Sequence, residues 1–195
     1  MRTNSLVSLI KKQFPDWSRV MILEMLNEIQ KIVFTQTTTR QMLVRDPATG
    51  GDPVITVSGV AEFPVPSKEA GFPADIWRVS QVYSSSIDEP LDVICYDSSV
   101  DEPAKIMFPS VVSGTFHIRA YRYPTKIETE EDQLEIPESF HITHVLNGVC
   151  GLIEQTRSGK SDRWDFFLQR QLNEIVKKMS NGRGPVSSYV PLRGY

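Results

Sequence analysis

The string Ser158-Gly159-Lys160-Ser161 carries the residue types that hold a nucleotide's phosphates: a glycine that admits close backbone approach, a lysine, and a hydroxyl for magnesium. The residues around it do not complete that site. The first glycine of a phosphate loop would stand five residues before Gly159, where this chain has Glu154, and the preceding stretch has helical rather than strand periodicity. The spacing predicts a turn between two helices, with Ser161 capping the second. His141 and His144 lie three apart on a helical stretch, with Cys150 and Glu154 further on. A tetrahedral metal site needs three or four converging ligands, and this pair supplies two. Ordinary hydrogen-bonding histidines are expected there, and His117, between Phe116 and Ile118, reads as an exposed or cross-strand residue.

Nucleophilic catalysis has no visible home, because no G-x-S-x-G turn and no cysteine beside a partner signal is present. The acids Glu128, Glu130, Glu131, Asp132, Glu135 and Glu138 fall in a polar stretch, where a solvated linker or charged contact face is expected. The residues therefore predict no enzyme, no cofactor and no metal. A small ligand-binding protein or enzyme using His141 and the acids near it is the alternative of another class.

The totals narrow the remaining classes. A chain of 195 residues with 40% hydrophobic and 23% charged residues can bury a core without staples. A net charge of -3 argues against a protein that wraps nucleic acid, which needs many Lys and Arg contacts to phosphate. Cys95 and Cys150 form no disulfide framework, so both read as small buried apolar residues in a reducing compartment. The apolar group Leu6 to Ile10 meets Lys11 and Lys12 at once, and Val145 to Ile153 is far shorter than the ~20 residues of a membrane span. A soluble protein with no membrane contact is expected.

Positioning elements follow from periodicity. Asn4 or Ser5 caps a first helix bearing Leu6, Leu9, Ile10 and Phe14, which stops near Pro15. Ser18 opens a second helix with Ile22, Met25, Leu26, Ile29, Ile32 and Val33 on one stripe. From Thr37 β-branched residues alternate with polar ones, giving strands at Thr39 to Val44, Val54 to Val60, Ile76 to Tyr83, Leu91 to Tyr96 and Thr115 to Tyr123. Asp46 to Pro53 reads as an exposed hairpin tip. Pro137 then leads a third helix with Phe140, Val145, Leu146, Val149, Leu152 and Ile153, and a fourth carries Trp164, Phe167, Leu168, Leu172, Ile175, Val176 and Met179 up to a capping Gly182. Trp164 reads as core, and Trp77, after the exposed-looking Phe72-Pro73 turn, as an interface residue.

The fold class is α+β: a small helical bundle from N- and C-terminal helix pairs (1–36 and 126–181), a β-rich insertion (37–125) and an extended C-terminal tail (182–195). No apolar stripe continues into the tail. Tyr189, Val190, Leu192 and Tyr195 stand as isolated anchors, and Pro185 and Pro191 favour an extended chain that another subunit would grip.

The two helix pairs, the insertion, the run Ile136-Pro137-Glu138-Ser139-Phe140-His141 and the tail together resemble the head-to-tail adaptor proteins of tailed bacteriophages, especially short-tailed ones. The resemblance spans nearly the whole chain and is one of element order, since that family has no catalytic signature. It implies a structural virion protein of the neck, made in the host cytoplasm, in a ring of about twelve copies between portal and tail nozzle or tail-tube protein. The bundles would pack side by side, and DNA would pass without sequence-specific binding. Portal contacts would fall on Pro185, Tyr189, Val190, Pro191, Leu192, Arg193 and Tyr195, and nozzle contacts on Asp46, Thr49, Asp52, Phe72 and Trp77. A head-completion or neck protein of a longer-tailed phage is the related alternative.

Overall fold

The computed structural model describes residues 3–36, 43–84, 89–99 and 102–179. It is an α+β protein with two compact units, one of residues 1–39 with 124–195, the other of residues 40–123. Most of the expected strand at Thr39 to Val44, the Gly182 cap and the whole tail lie outside the described residues.

In the first unit, α1 (Thr3–Gln13) and α2 (Arg19–Thr35) form a hairpin. Asn4 and Ser5, expected to cap α1, lie inside it, because the helix already includes Thr3. Ser18 does cap α2: its extended backbone leaves Oγ free to accept from the Met21 N–H. Ile22, Leu26, Ile29 and Val33 are buried as the stripe requires, and Leu23, Gln30 and Phe34 widen the buried face.

The expected third helix starts as a single 3₁₀ turn, Glu138–Phe140, passes through a π turn at His141–Val145, and becomes α3 (Leu146–Ser158). Gly159 in the left-handed conformation ends it, and Ser161 Oγ accepts from Trp164 N to start the next helix. That helix runs as α4 (Asp162–Phe166), a second π turn (Phe167–Gln171) and α5 (Leu172–Met179). Each π turn adds a residue and shifts the phase of the buried stripe. The two turns are tied together where Gln171 Nε2 donates to Thr143 O at 2.6 Å. Gly151 permits close approach: a Cβ there would stand 2.5 Å from the Trp164 backbone nitrogen. Phe167, rather than the half-buried Trp164, fills the centre of this packing.

Residues 124–137 lie across the bundle with Ile127, Leu134 and Ile136 buried. Two α2 amides hold them. Asn27 donates to Ile127 O at 2.9 Å and accepts from Ile127 N at 2.8 Å, while buried Gln30 accepts from Glu135 N at 2.7 Å and donates to Thr125 O at 3.4 Å. The acids of this stretch are only partly a solvated face. Asp132 Oδ2 accepts from the backbone of Glu128 and Thr129, which holds its carboxyl below the usual range, and Glu135 Oε1 accepts from Thr125 N.

In the second unit the strands are β1 (Val54–Pro64), β2 (Ile76–Ser84), β3 (Ile94–Tyr96) and β4 (Lys105–Arg122), all antiparallel to β4. β1 follows β4 along one edge, from Val54 opposite His117 to Pro64 opposite Lys105. The other edge of β4 is shared, with β2 on residues 116–122 and β3 on 105–107. β2 and the β3 segment also meet, through Leu91 N to Val82 O and Ser98 N to Trp77 O. The ladder of β4 with β1 is interrupted by an irregularity of the kind that bends a strand, where residues 108–111 of β4 oppose little more than Ala61 and left-handed Gly59 on β1 donates to Ser113 Oγ. The curled sheet encloses Val57, Val79, Val82, Ile106, Phe108, Ile118 and their neighbours.

Gln30→Ala removes the partner of the Glu135 N–H and opens a void under the return segment. A loss of about 2–4 kcal/mol in urea unfolding is expected, against under 1 kcal/mol for the exposed Glu24→Ala.

Candidate functional site

The Asp46 to Pro53 turn is built from its own side chains. Asp46 N donates to Gly51 O, Gly50 N to Asp46 O, Ala48 N to Asp46 Oδ1, and Gly51 N to Thr49 Oγ1, with Gly50 left-handed. Asp46 and Thr49 thus serve the turn, and Thr49 is exposed while Asp46 is half-buried. Asp52, expected at an exposed tip, is not a surface residue: its side chain is 3% exposed. The turn folds it against the sheet, where Oδ1 accepts from Arg45 Nη1 at 2.6 Å and Oδ2 accepts from Tyr83 OH at 2.7 Å and Arg119 Nε at 3.3 Å.

Strand alternation brings these donors together. His117 and Arg119 share the outer face of β4, and Tyr83 pairs with His117 across the ladder, their rings stacked with centroids 5.4 Å apart. Gln81 Oε1 fixes the far end of Arg119 at 2.8 Å. Burial, and then the hydrogen bond to Asp52, push the Tyr83 hydroxyl up to about 12, so it stays protonated and donates. A buried carboxylate between two half-exposed guanidiniums is an anchor that fixes the loop to the sheet.

Phe72 and Trp77 also fail as surface contacts. Phe72 packs in the sheet core, and Trp77 is 5% exposed, beneath the Arg78 guanidinium at 5.6 Å from its ring. Its Nε1 has no hydrogen-bond partner among the described residues. Register shifts of β2 between Ile76 and Arg78 and between Val79 and Gln81 break the alternation, so the core residues Ile76, Val79 and Val82 are three apart and Trp77 is buried next to Ile76.

Large apolar side chains that do reach solvent lie elsewhere. Ile94 (60% exposed) stands directly opposite Met107, with Tyr96 two residues along on the same face. Val111 (68% exposed) tops the irregular stretch of β4. Ile94 and Tyr96 flank Cys95, which is packed against the core but only part-buried rather than enclosed as expected. Around them Lys105 bridges Glu62 at 3.2 Å and Glu102 at 3.0 Å, and Arg78 meets Asp97 at 3.6 Å. The helical unit exposes Val20, Ile142 and Phe166.

His141 is buried and bonds Ile136 O at 2.7 Å, while His144 lies between Thr143 Oγ1 and Glu174 Oε2, 2.8 Å from the latter. Cys150 is buried, which pushes its thiol up to about 11. Among the described residues no group of three or more His, Cys, Asp or Glu could hold a metal ion. A cavity of about 250 Å³ in the sheet unit is lined by Ser67, Asp75, Ser98, Glu102 and Tyr123, with Ser98 and Tyr123 hydroxyls bonded to each other. Among the described residues no helix is long and apolar enough to cross a membrane. The tail residues Pro185, Tyr189, Val190, Pro191, Leu192, Arg193 and Tyr195 fall outside the described residues. No protein-family model and no curated protein matches the chain.

Asp52→Asn removes the anion while keeping the shape. The Tyr83 hydroxyl is then expected to titrate below about 12 but still above 10, since burial is the larger cause, and stability to drop by about 1–3 kcal/mol. Phenolate absorbance against pH, with a denaturant melt, checks both.

Proposed function

We propose that the chain is a non-catalytic assembly protein, a head-to-tail adaptor of a tailed bacteriophage that sits in the virion neck as a ring between portal and tail nozzle. One observation carries the reading. The sheet unit exposes Ile94, its cross-strand partner Met107, and Tyr96 two residues along β3, while its polar anchor at Asp52 is buried inside the unit. Contiguous exposed apolar side chains rimmed by charge mark a surface meant for another protein. Val20, Ile142 and Phe166 give the helical unit exposed apolar residues of its own, as a subunit with more than one neighbour requires. The resemblance of element order supplies the portal and nozzle as those neighbours. With a net charge of -3 the ring would hold passing DNA only weakly, since retention needs cation contacts to phosphate.

Mixing the purified chain with the portal protein of the same virus is expected to yield a complex that appears in electron micrographs as a ring of about twelve copies under the portal. A chain that stays free of portal at every concentration, or that instead takes up a stoichiometric small ligand, overturns the reading.

A further inference from the structure

We infer that the Ile94, Tyr96 and Met107 face receives the C-terminal segment, Arg183 to Tyr195, of a second copy of this chain. The inference rests on the reading of the chain as an assembly protein and names the subunit that holds its tail, in place of the portal implied by the resemblance.

Charge is segregated along the sequence in a complementary way. Residues 88–102, which contain β3, hold six acids and neither lysine nor arginine. Residues 183–195 hold Arg183 and Arg193 and no acid. In the structure Glu89 and Asp92 are exposed in the segment that leads into β3, and Lys105 is already neutralised between Glu62 and Glu102. The rim therefore favours a basic partner.

The apolar centre fits the same segment. Ile94 and Tyr96 are two residues apart on one strand face, about 7 Å. Val190 and Leu192 have that spacing when the chain is extended, and Pro191 between them favours extension while lacking an N–H. The β3 backbone already pairs with β4 and its flanks with β2, so the contact uses the side-chain face rather than a new ladder. The tail of one copy on the sheet of the next is a contact between different surfaces, which generates a ring when the rotation closes.

The test uses a fluorescently labelled peptide of residues 183–195, the chain truncated after Asn181, and the full chain. The peptide is expected to bind the truncated chain, with affinity falling about tenfold or more as salt rises from low to several times physiological. Ile94→Lys, and separately Glu89→Lys with Asp92→Lys, are expected to weaken it at least about tenfold while circular dichroism stays unchanged, since all three side chains are exposed. The full chain should form oligomers in sedimentation that both variants and the truncation lose. Unaltered peptide binding by the variants, or none by the truncated chain, overturns the inference. So does peptide binding with a full chain that stays monomeric, because the tail then lies on its own sheet. If truncation alone abolishes joining to portal while the β3 variants join as wild type does, the portal holds the tail: this inference falls and the adaptor reading stands. If nothing joins portal yet the peptide binds as expected, the adaptor reading falls and the inference stands.

Discussion

The first unit depends on a pair of amides. α1 and α2 together expose an apolar face that they cannot cover themselves, and the helices that cover it come more than a hundred residues later in the chain. What fixes the register between the two halves is not the apolar contact alone, which is non-directional. Asn27 and Gln30, one turn apart on α2, read the backbone of residues 125–135 at both donors and acceptors. A slip of one residue would leave a buried Gln30 and several peptide groups unpaired, at a cost of some kcal/mol, so the return segment has one seat. Arg157 closes the far side, pairing with Asp16 and lying over the Phe14 and Trp17 rings at 5.3 and 6.0 Å.

Asp52 does the same work in the sheet unit. The loop before β1 is rich in glycine and proline and brings little apolar area to the core, so a directional contact must hold it. Three donors from three segments meet on one carboxylate, and each would be left without its buried partner if the loop lifted. The anchor leaves the outward nitrogens of Arg45 and Arg119 half in water, where their pairing contributes modestly.

Much of this was legible and the rest has identifiable physical reasons. Ser18 and Ser161 announced their helices because an N-cap is a local event, settled within three residues. Gln30 was not legible, since a glutamine beside an apolar stripe looks like the edge of the stripe until a distant backbone arrives to use it. The π turns were invisible for a related reason: one inserted residue changes the phase of the stripe by about a quarter turn, which the spacing of Phe140 and Val145 absorbs without breaking the pattern. β4 was read from Thr115 because Pro109 and Gly114 look like stops. Pro109 instead falls where β4 bulges and needs no ladder N–H, so the strand passes through it back to Lys105. Asp52 and Phe72 misled for one shared reason. Turn chemistry says that a loop is tight, and not whether it folds outward or back onto the sheet.

The exposed face follows from that same bend. A flat sheet would have to cover one face with another layer, whereas β4 curls so that β1, β2 and β3 enclose their own core. Where no loop packs on the outer side of a strand, that side is under no folding constraint to be polar. Thr56, Ser58, Ser80 and Thr115 take the polar option. Ile94 and Met107 do not, although they sit opposite each other where a Thr pair or a Lys–Glu pair would serve the ladder. Ile94, 60% exposed, gains only part of the roughly 25 cal/mol per Å² that full burial supplies, and Met107, 37% exposed, gains more of it. The same apolar area would contribute fully only if something covered it, and the contact proposed for this face would supply that cover.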